Sequence, residues 1–246
     1  MSGGGSLERF RQVAPRGFVL DFDGTLAEIV ARPELARLVD GAAETLARLA
    51  SSNRLVAVVT GRPAAQIREL VGAPGVAVVG LYGLVEDPAR RSGLERAASA
   101  IGEVLTNFPG AWVEDKGVSL AVHFRGVQDP ARVERRLAGT LGEIAQAHGL
   151  HLFTGKRVLE ITAGEVPSKG AAVVRLAREA RLDGCLYAGD DLADLDAFGA
   201  LDQLADEGVA TVKVAVRSEE TPAEVIAAAD VVVDGPSGLV RLLPGV

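Results

Sequence analysis

Apolar and polar positions alternate along this chain in two different rhythms. Phe18-Val19-Leu20 ends at Asp21, Leu55-Val56-Ala57-Val58-Val59-Thr60 stops at Gly61, and Val76-Ala77-Val78-Val79 stops at Gly80. Short apolar runs without alternation read as strands buried on both faces. Between them, the spacing of Ala43, Leu46, Ala47 and Leu49 predicts a helix over 40–51. Pro63, tolerated at the first helical position, opens another. Strand and helix in strict turn predict a parallel sheet covered on both sides.

The rhythm then changes. A helix over 94–108 precedes Ala111 to Asp115 and the stretch Val118 to Phe124. There Val118, Leu120, Val122 and Phe124 share one face, the mark of a half-buried antiparallel strand. A helix over 129–147 and strands over 150–154 and 157–162 complete an αββαββ unit, a small sheet with helices on one side. After Pro167 the first rhythm returns. It gives a helix from Lys169, a strand over 185–189, a helix near Asp194, a strand over 211–216 and the run Val231-Val232-Val233. The expected architecture is α/β: a Rossmann-like parallel-sheet core of 7–85 and 164–246, with an inserted α+β cap at 86–163. Met1 to Ser6 reads as a flexible tail.

Composition narrows the function without naming it. In 246 residues, 48% hydrophobic and 24% charged positions suffice for a buried core, and 4% aromatics favour close helix–sheet packing. A net charge of −7 argues against nucleic acid or an anionic membrane as the main partner. A phosphorylated small molecule stays open, because a metal ion and a few placed cations reverse the field locally. The lone Cys185 lies in an apolar run and excludes an internal disulfide. No stretch approaches the roughly 18 apolar residues of a membrane span, and no basic end precedes an apolar segment at the N-terminus. A cytoplasmic protein is expected.

In parallel α/β sheets, ligands bind beyond the carboxyl ends of the strands. Asp21 and Asp23 follow one strand, and Asp190 and Asp191 follow another, with Asp194 close behind. Carboxylates so near each other repel unless a cation lies between them. Such a hard-oxygen set suits Mg²⁺. Thr60-Gly61-Arg62 offers a hydroxyl and backbone N–H groups at a helix start, a phosphate cradle, and Lys169 offers a compensating charge. Each feature alone has a plainer explanation: a turn, a helix cap, a solvated lysine. Their conjunction at successive strand ends favours phosphoryl transfer, where positioning and charge neutralisation dominate. His123, His148 and His151 show no ligand spacing.

Asp21-Phe22-Asp23-Gly24-Thr25-Leu26 resembles the first motif of the haloacid dehalogenase-like phosphatases, and Thr60, Lys169 and Asp190-Asp191 with Asp194 match the other three. The resemblance implies that Asp21 attacks phosphorus to form an aspartyl phosphate. It implies that Asp23 protonates the leaving alcohol and then activates water. Thr60 and Lys169 would join them in catalysis, with Gly61 and Arg62 at the phosphate. The Asp21 carboxylate, the Asp23 carbonyl and Asp190 would hold Mg²⁺, with Asp191 and Asp194 just outside the ligand set. A carboxylate nucleophile beside a carboxyl acid and base is chemically sound.

A closer resemblance lies in the cap. Val113-Glu114-Asp115-Lys116-Gly117-Val118-Ser119-Leu120-Ala121-Val122-His123-Phe124-Arg125, Gly155-Lys156-Arg157-Val158-Leu159-Glu160-Ile161 and the segment from Gly189 to Phe198 resemble the trehalose-6-phosphate phosphatases over nearly the whole chain. The implied activity is hydrolysis of trehalose 6-phosphate, with Glu114, Lys116, Arg125 and Glu160 binding the sugar. Carboxylates accept hydrogen bonds from sugar hydroxyls, and Lys or Arg clamps a phosphate. On composition alone, Glu114 to Gly117 fits an exposed hairpin turn. Tyr82 stands where that family usually has His, and Ala193 where it often has Thr. Two further readings fit the same residues: a phosphatase of sucrose phosphate, a glycosyl phosphoglycerate or an aminocyclitol phosphate, and a non-catalytic sugar-phosphate sensor.

Overall fold

The computed structural model describes residues 3–30, 32–83, 88–155, 158–164 and 168–246. Lys156, Arg157 and Pro167, singled out in the sequence, lie outside this set. The chain opens with α1 (Gly3–Arg11), β1 (Arg16–Leu20), α2 (Ala42–Ser52), β2 (Leu55–Val59), α3 (Ala64–Val71) and β3 (Ala77–Val79). Its middle supplies α4 (Pro88–Leu105), β4 (Trp112–Asp115), β5 (Ser119–His123), α5 (Pro130–Ala147), β6 (His151–Gly155) and β7 (Val158–Thr162). The remainder is α6 (Lys169–Ala180), β8 (Gly184–Gly189), α7 (Asp194–Asp206), β9 (Ala210–Arg217), α8 (Ala223–Ala228), β10 (Val231–Asp234) and α9 (Gly235–Leu242). Contacts divide the chain into two compact units, Met1–Gly83 with Pro167–Val246 and Leu84–Val166.

The first unit is built on a six-stranded sheet in the order β10-β9-β8-β1-β2-β3, every pair parallel. Side chains alternate across it. Phe18, Leu20, Val56, Val58 and Leu186 meet Phe10 of α1, Leu46 of α2, Ile67 of α3 and Leu239 of α9 on one face. On the other face, Val19, Ala57, Val59, Cys185 and Tyr187 meet Val173 of α6 and Leu201 of α7. A strand covered on both sides has no polar face to show, which is why β1, β2 and β8 read as unbroken apolar runs. Burial pushes the Cys185 thiol up to about 12, so it stays protonated and packs as a small hydrophobe.

The second unit holds an antiparallel sheet in the order β4-β5-β7-β6. Leu120 and Val122 of β5 and Leu159 and Ile161 of β7 pack against Leu94 and Ile101 of α4 and Leu137 and Leu141 of α5. The register then assigns the other face. Glu114 pairs with Ala121 and Ala121 with Glu160, so these three line up across the strands away from the helices.

The N-terminal segment corrects the expectation of a flexible tail. Glycines at 3–5 disfavour helix, yet α1 begins at Gly3 because the helix is anchored further along. Phe10 is fully buried, its ring edge-on to Phe18 at 5.4 Å, and Ser6 Oγ donates to Asp230 Oδ1 at 3.1 Å. Pro63 sits at the N-cap of α3 and not at its first helical residue. No helix among the described residues is long and apolar enough to cross a membrane.

The anchoring of α1 is testable. Phe10→Ala removes a ring from a site with no water access and is expected to cost about 3–5 kcal/mol, read as a lower denaturant midpoint with unchanged slope. A midpoint equal to that of the unsubstituted protein would show that α1 contributes nothing to the fold.

Candidate active site

The parallel register brings the strand exits together. The Asp21 amide donates to the Ala188 carbonyl at 2.9 Å, so β1 and β8 stay paired until both reach their acids. The Thr60 amide donates to the Val79 carbonyl at 3.0 Å, which does the same for β2 and β3. Two glycines let the loops close. Gly24, in the left-handed region at φ 77°, lies where a Cβ would overlap the Asp190 carboxylate, and a Cβ at Gly189 would overlap that of Asp194.

Lys169, the first residue of α6, is buried among acids. Its Nζ lies 2.6 Å from Asp194 Oδ1 and 3.1 Å from Asp21 Oδ2. Burial alone would lower this ammonium, but Asp194 and then Asp21 outweigh it and hold the group above its usual range. Asp194 is fully occupied. Oδ1 also accepts from Tyr187 Oη at 2.6 Å, while Oδ2 accepts from the amides of Asp190 and Asp191 at 2.8 and 2.9 Å. The start of α6 is held twice more: Ser168 Oγ accepts from the Ala171 amide at 3.1 Å, and Asp196 Oδ2 from the Gly170 amide at 2.6 Å.

Asp21 is pushed well above the usual carboxylate range, first by burial and then by Asp194, Asp190 and Asp191, with Lys169 alone opposing them. Asp21, Asp190 and Asp194 are all buried and each brings a carboxylate oxygen within 4.8 Å of the others. Both Asp194 oxygens already accept two hydrogen bonds each, so within the cluster Asp21 and Asp190 are the carboxylates whose type and spacing suit a cation. One or two carboxylates with room for waters and phosphate oxygens is the donor set Mg²⁺ favours. The residues present fit that ion.

Asp23 is turned elsewhere. Arg62 forks onto it, Nε to Oδ2 at 2.7 Å and Nη2 to Oδ1 at 2.6 Å, while Arg62 Nη1 donates to the Pro33 carbonyl at 2.7 Å. The guanidinium also lies 5.5 Å from the Phe22 ring centroid. Thr60 is buried, and its hydroxyl accepts from the Arg62 amide at 3.2 Å, shaping the Thr60-Gly61-Arg62 turn. Past β3, Leu81 and Tyr82 both take left-handed backbone angles, φ 52° and 53°. These conformations cost of order 1–3 kcal/mol each. They set the Tyr82 ring 5.9 Å from Lys169 Nζ.

In the second unit, Glu160 Oε1 accepts from Ser119 Oγ at 2.6 Å and lies 3.3 Å from Lys116 Nζ. Glu114 Oε2 pairs with His123 Nε2 at 2.9 Å, and the His123 ring stacks on Trp112 at 4.2 Å between centroids. Arg125, half-buried, lies two residues past β5, at the opposite end of that strand from Ser119. Asp115 faces Arg91, which forks onto it at 2.7 and 2.8 Å. The Arg91 hydrogen bonds hold the Asp115 carboxyl below its usual range.

Two residues carry interactions that their sequence context concealed. Tyr187 sits in an apolar strand and reads as core; the signal was its hydroxyl, which needs a partner wherever the ring is buried. His123 shows no ligand spacing in the sequence, and nothing there announces its pairing with the Glu114 carboxylate.

The comparisons bear on family and fold. The sequence profile of the trehalose-phosphatase family matches residues 19–231. The chain is 37% identical over 203 residues to a Mycobacterium tuberculosis protein named as an uncharacterised glycosyl hydrolase, covering 74% of this chain and 15% of that one. It is 32% identical over 195 residues to the trehalose-phosphate phosphatase of Mycobacterium bovis, covering 72% of this chain and 49% of the relative. The chain thus spans no more than about half of the curated relatives it matches. The C-terminal domain of Candida albicans trehalose-6-phosphate phosphatase superposes with a TM-score of 0.79 at 23% identity, over 100% of this chain and 97% of that domain. A phosphatase of the haloalkanoate superfamily from Bacteroides thetaiotaomicron shares the fold at a TM-score of 0.57 and 18% identity, over 94% of each chain. This chain belongs to the trehalose-phosphatase family and has the fold of the haloacid dehalogenase-like phosphatases.

Proposed function

We propose that the protein is a Mg²⁺-dependent phosphatase that hydrolyses trehalose 6-phosphate through an aspartyl phosphate. The observation that carries this reading is the buried pairing of Asp21 with Lys169 beside Asp190, at adjacent strand exits, in a chain of this family. When bound, Mg²⁺ would neutralise carboxylate and phosphate charge and orient the phosphoryl oxygens. Asp21, Asp190 and the Asp23 carbonyl would hold it, with Asp191 and Asp194 supporting the loop behind them.

The chain's own groups divide the work. An Asp21 oxygen attacks phosphorus as the ester P–O bond breaks, and the Asp23 carboxyl, once its fork with Arg62 opens, gives its proton to the leaving sugar oxygen. Asp23 then takes a proton from water, whose oxygen attacks phosphorus and releases phosphate, restoring Asp21. Lys169, Thr60 and the Gly61 amide stabilise the charge on the transferring group, while the Arg62 amide, held by the Thr60 hydroxyl, shapes the turn that carries Thr60 and Gly61. The first unit, read as the catalytic core at 7–85 and 164–246, supplies the nucleophile, the phosphate cradle and the acids for the metal, groups common to any phosphate ester. The second, read as the cap at 86–163, supplies Glu114, Lys116, Arg125 and Glu160 for the sugar hydroxyls.

Phosphate release from trehalose 6-phosphate, sucrose phosphate and a glycosyl phosphoglycerate, measured on one preparation, tests the substrate. Trehalose 6-phosphate is expected to give the highest kcat/KM, and a clear preference for another ester would overturn the assignment. Activity is expected to vanish in excess chelator and return with Mg²⁺. Asp21→Asn is expected to fold and to show essentially no turnover, because a neutral amide is a poor nucleophile. Near-normal rates in that variant would exclude the covalent route. Glu114→Ala removes a hydrogen bond to a charged group worth about 1.5–3 kcal/mol, so kcat/KM for trehalose 6-phosphate should fall roughly 10- to 150-fold. The same variant should turn over p-nitrophenyl phosphate nearly as before. Equal losses on both substrates would give Glu114 a structural role.

A further inference from the structure

We propose that Tyr187 is a positioning residue for the phosphoryl-transfer chemistry: its buried hydroxyl, acting through Asp194, sets where the Lys169 ammonium stands beside Asp21. The inference rests on the reading of Asp21 and Lys169 as catalytic. It adds a residue that the motif pattern leaves in the core.

Tyr187 belongs to β8, with Val19 of β1 and Lys213 of β9 as its register neighbours. Its ring is fully buried and meets Phe198 of α7 edge-on, 6.1 Å between centroids and 84° between planes. The ring therefore has a fixed place, and the hydroxyl is delivered to Asp194 Oδ1 at 2.6 Å. Burial, with Asp194 alongside, pushes the phenol well above its ordinary range, so the hydroxyl keeps its proton and donates.

That donation matters because Asp194 is shared. A carboxylate has about four acceptor positions, and here all four are used: Tyr187 Oη and Lys169 Nζ on Oδ1, the Asp190 and Asp191 amides on Oδ2. Lys169 already stands closer to Asp194, at 2.6 Å, than to Asp21, at 3.1 Å. The hydroxyl draws off part of the negative charge on Oδ1. Without it, Oδ1 would hold the ammonium harder, away from Asp21 and from the transferring phosphoryl group. The two amides on Oδ2 hold the carboxylate from its other side, so the loss of the hydroxyl is felt at Oδ1, where Lys169 sits. A hydroxyl that only needed a buried acceptor would affect stability and leave the rate alone.

Tyr187→Phe keeps the ring and its contact with Phe198. With Mg²⁺ saturating, kcat is expected to fall on the order of tenfold, the worth of one hydrogen bond to a charged group. The loss should be the same for trehalose 6-phosphate and p-nitrophenyl phosphate, with KM changed less than about twofold if the bond acts on chemistry and not on ground-state binding. Assays run well below the unfolding midpoint of each preparation separate this from lost stability. In a Lys169→Ala background, the Phe substitution should add little, because the two act as one unit. Full kcat in Tyr187→Phe, or a loss equal in both backgrounds, would overturn the proposal while a crippled Lys169→Ala left the catalytic reading standing. Full activity in Lys169→Ala would instead overturn that reading, and this inference with it.

Discussion

Lys169 Nζ stands between Asp194, which is fully buried, and Asp21, itself 6% exposed, with Asp190 packed beside them. Removing such ions from water costs several kcal/mol each, and good geometry with complete hydrogen bonding is what offsets that cost. The loops at this end of the sheet answer the requirement. Gly24 and Gly189 let backbone approach carboxylate, Asp194 spends both oxygens on four donors, and Ser168 and Asp196 hold the start of α6. Asp21, Asp190 and Asp194 nevertheless keep carboxylate oxygens within 4.8 Å of one another, and that crowding is the physical reason a divalent cation suits the place.

The fold could be read in the sequence wherever burial is complete on both faces. β1, β2 and β8 appear as unbroken apolar runs because both neighbouring layers demand it. The αββαββ order of the second unit was legible too, from the alternation across Val118 to Phe124. What escaped was set by distant contacts. The helix at Gly3–Arg11 exists against its own glycines because Phe10 finds Phe18, and α8 and α9 are short helices in stretches where the sequence pattern predicted no element. In the candidate site, the acids announce themselves by standing at strand ends and Lys169 by opening a helix. The fork of Arg62 onto Asp23 and the reach of Tyr187 to Asp194 depend on side-chain direction across elements, which residue type and spacing do not encode.

The two units handle polar groups in opposite ways. In the first, charges sit at strand ends, where the backbone has finished pairing and the loops can be shaped around them. In the second, polar groups stand on the strands themselves, made possible by a sheet with helices on one side only. Glu114 with His123 and Glu160 with Ser119 and Lys116 are cross-strand partnerships, and the rigid ladder beneath them fixes their spacing. A site built on strands holds its geometry better than one built on loops.

The sheet order has a bearing on how the chain is made. β1 is a central strand: β2 pairs one of its edges and β8 the other. During synthesis β2 follows β1 promptly, but Gly184–Gly189 emerges only after the whole second unit has been translated. At about 5–20 residues per second, the apolar edge Gly17–Leu20 waits roughly ten to thirty seconds for its partner. An unpaired apolar edge is a template for another chain. The second unit, whose strands all pair among themselves, is complete before that wait ends. The nascent protein thus carries a finished domain beside a half-built sheet, and the interval before β8 arrives is when it is most exposed to aggregation or to a chaperone.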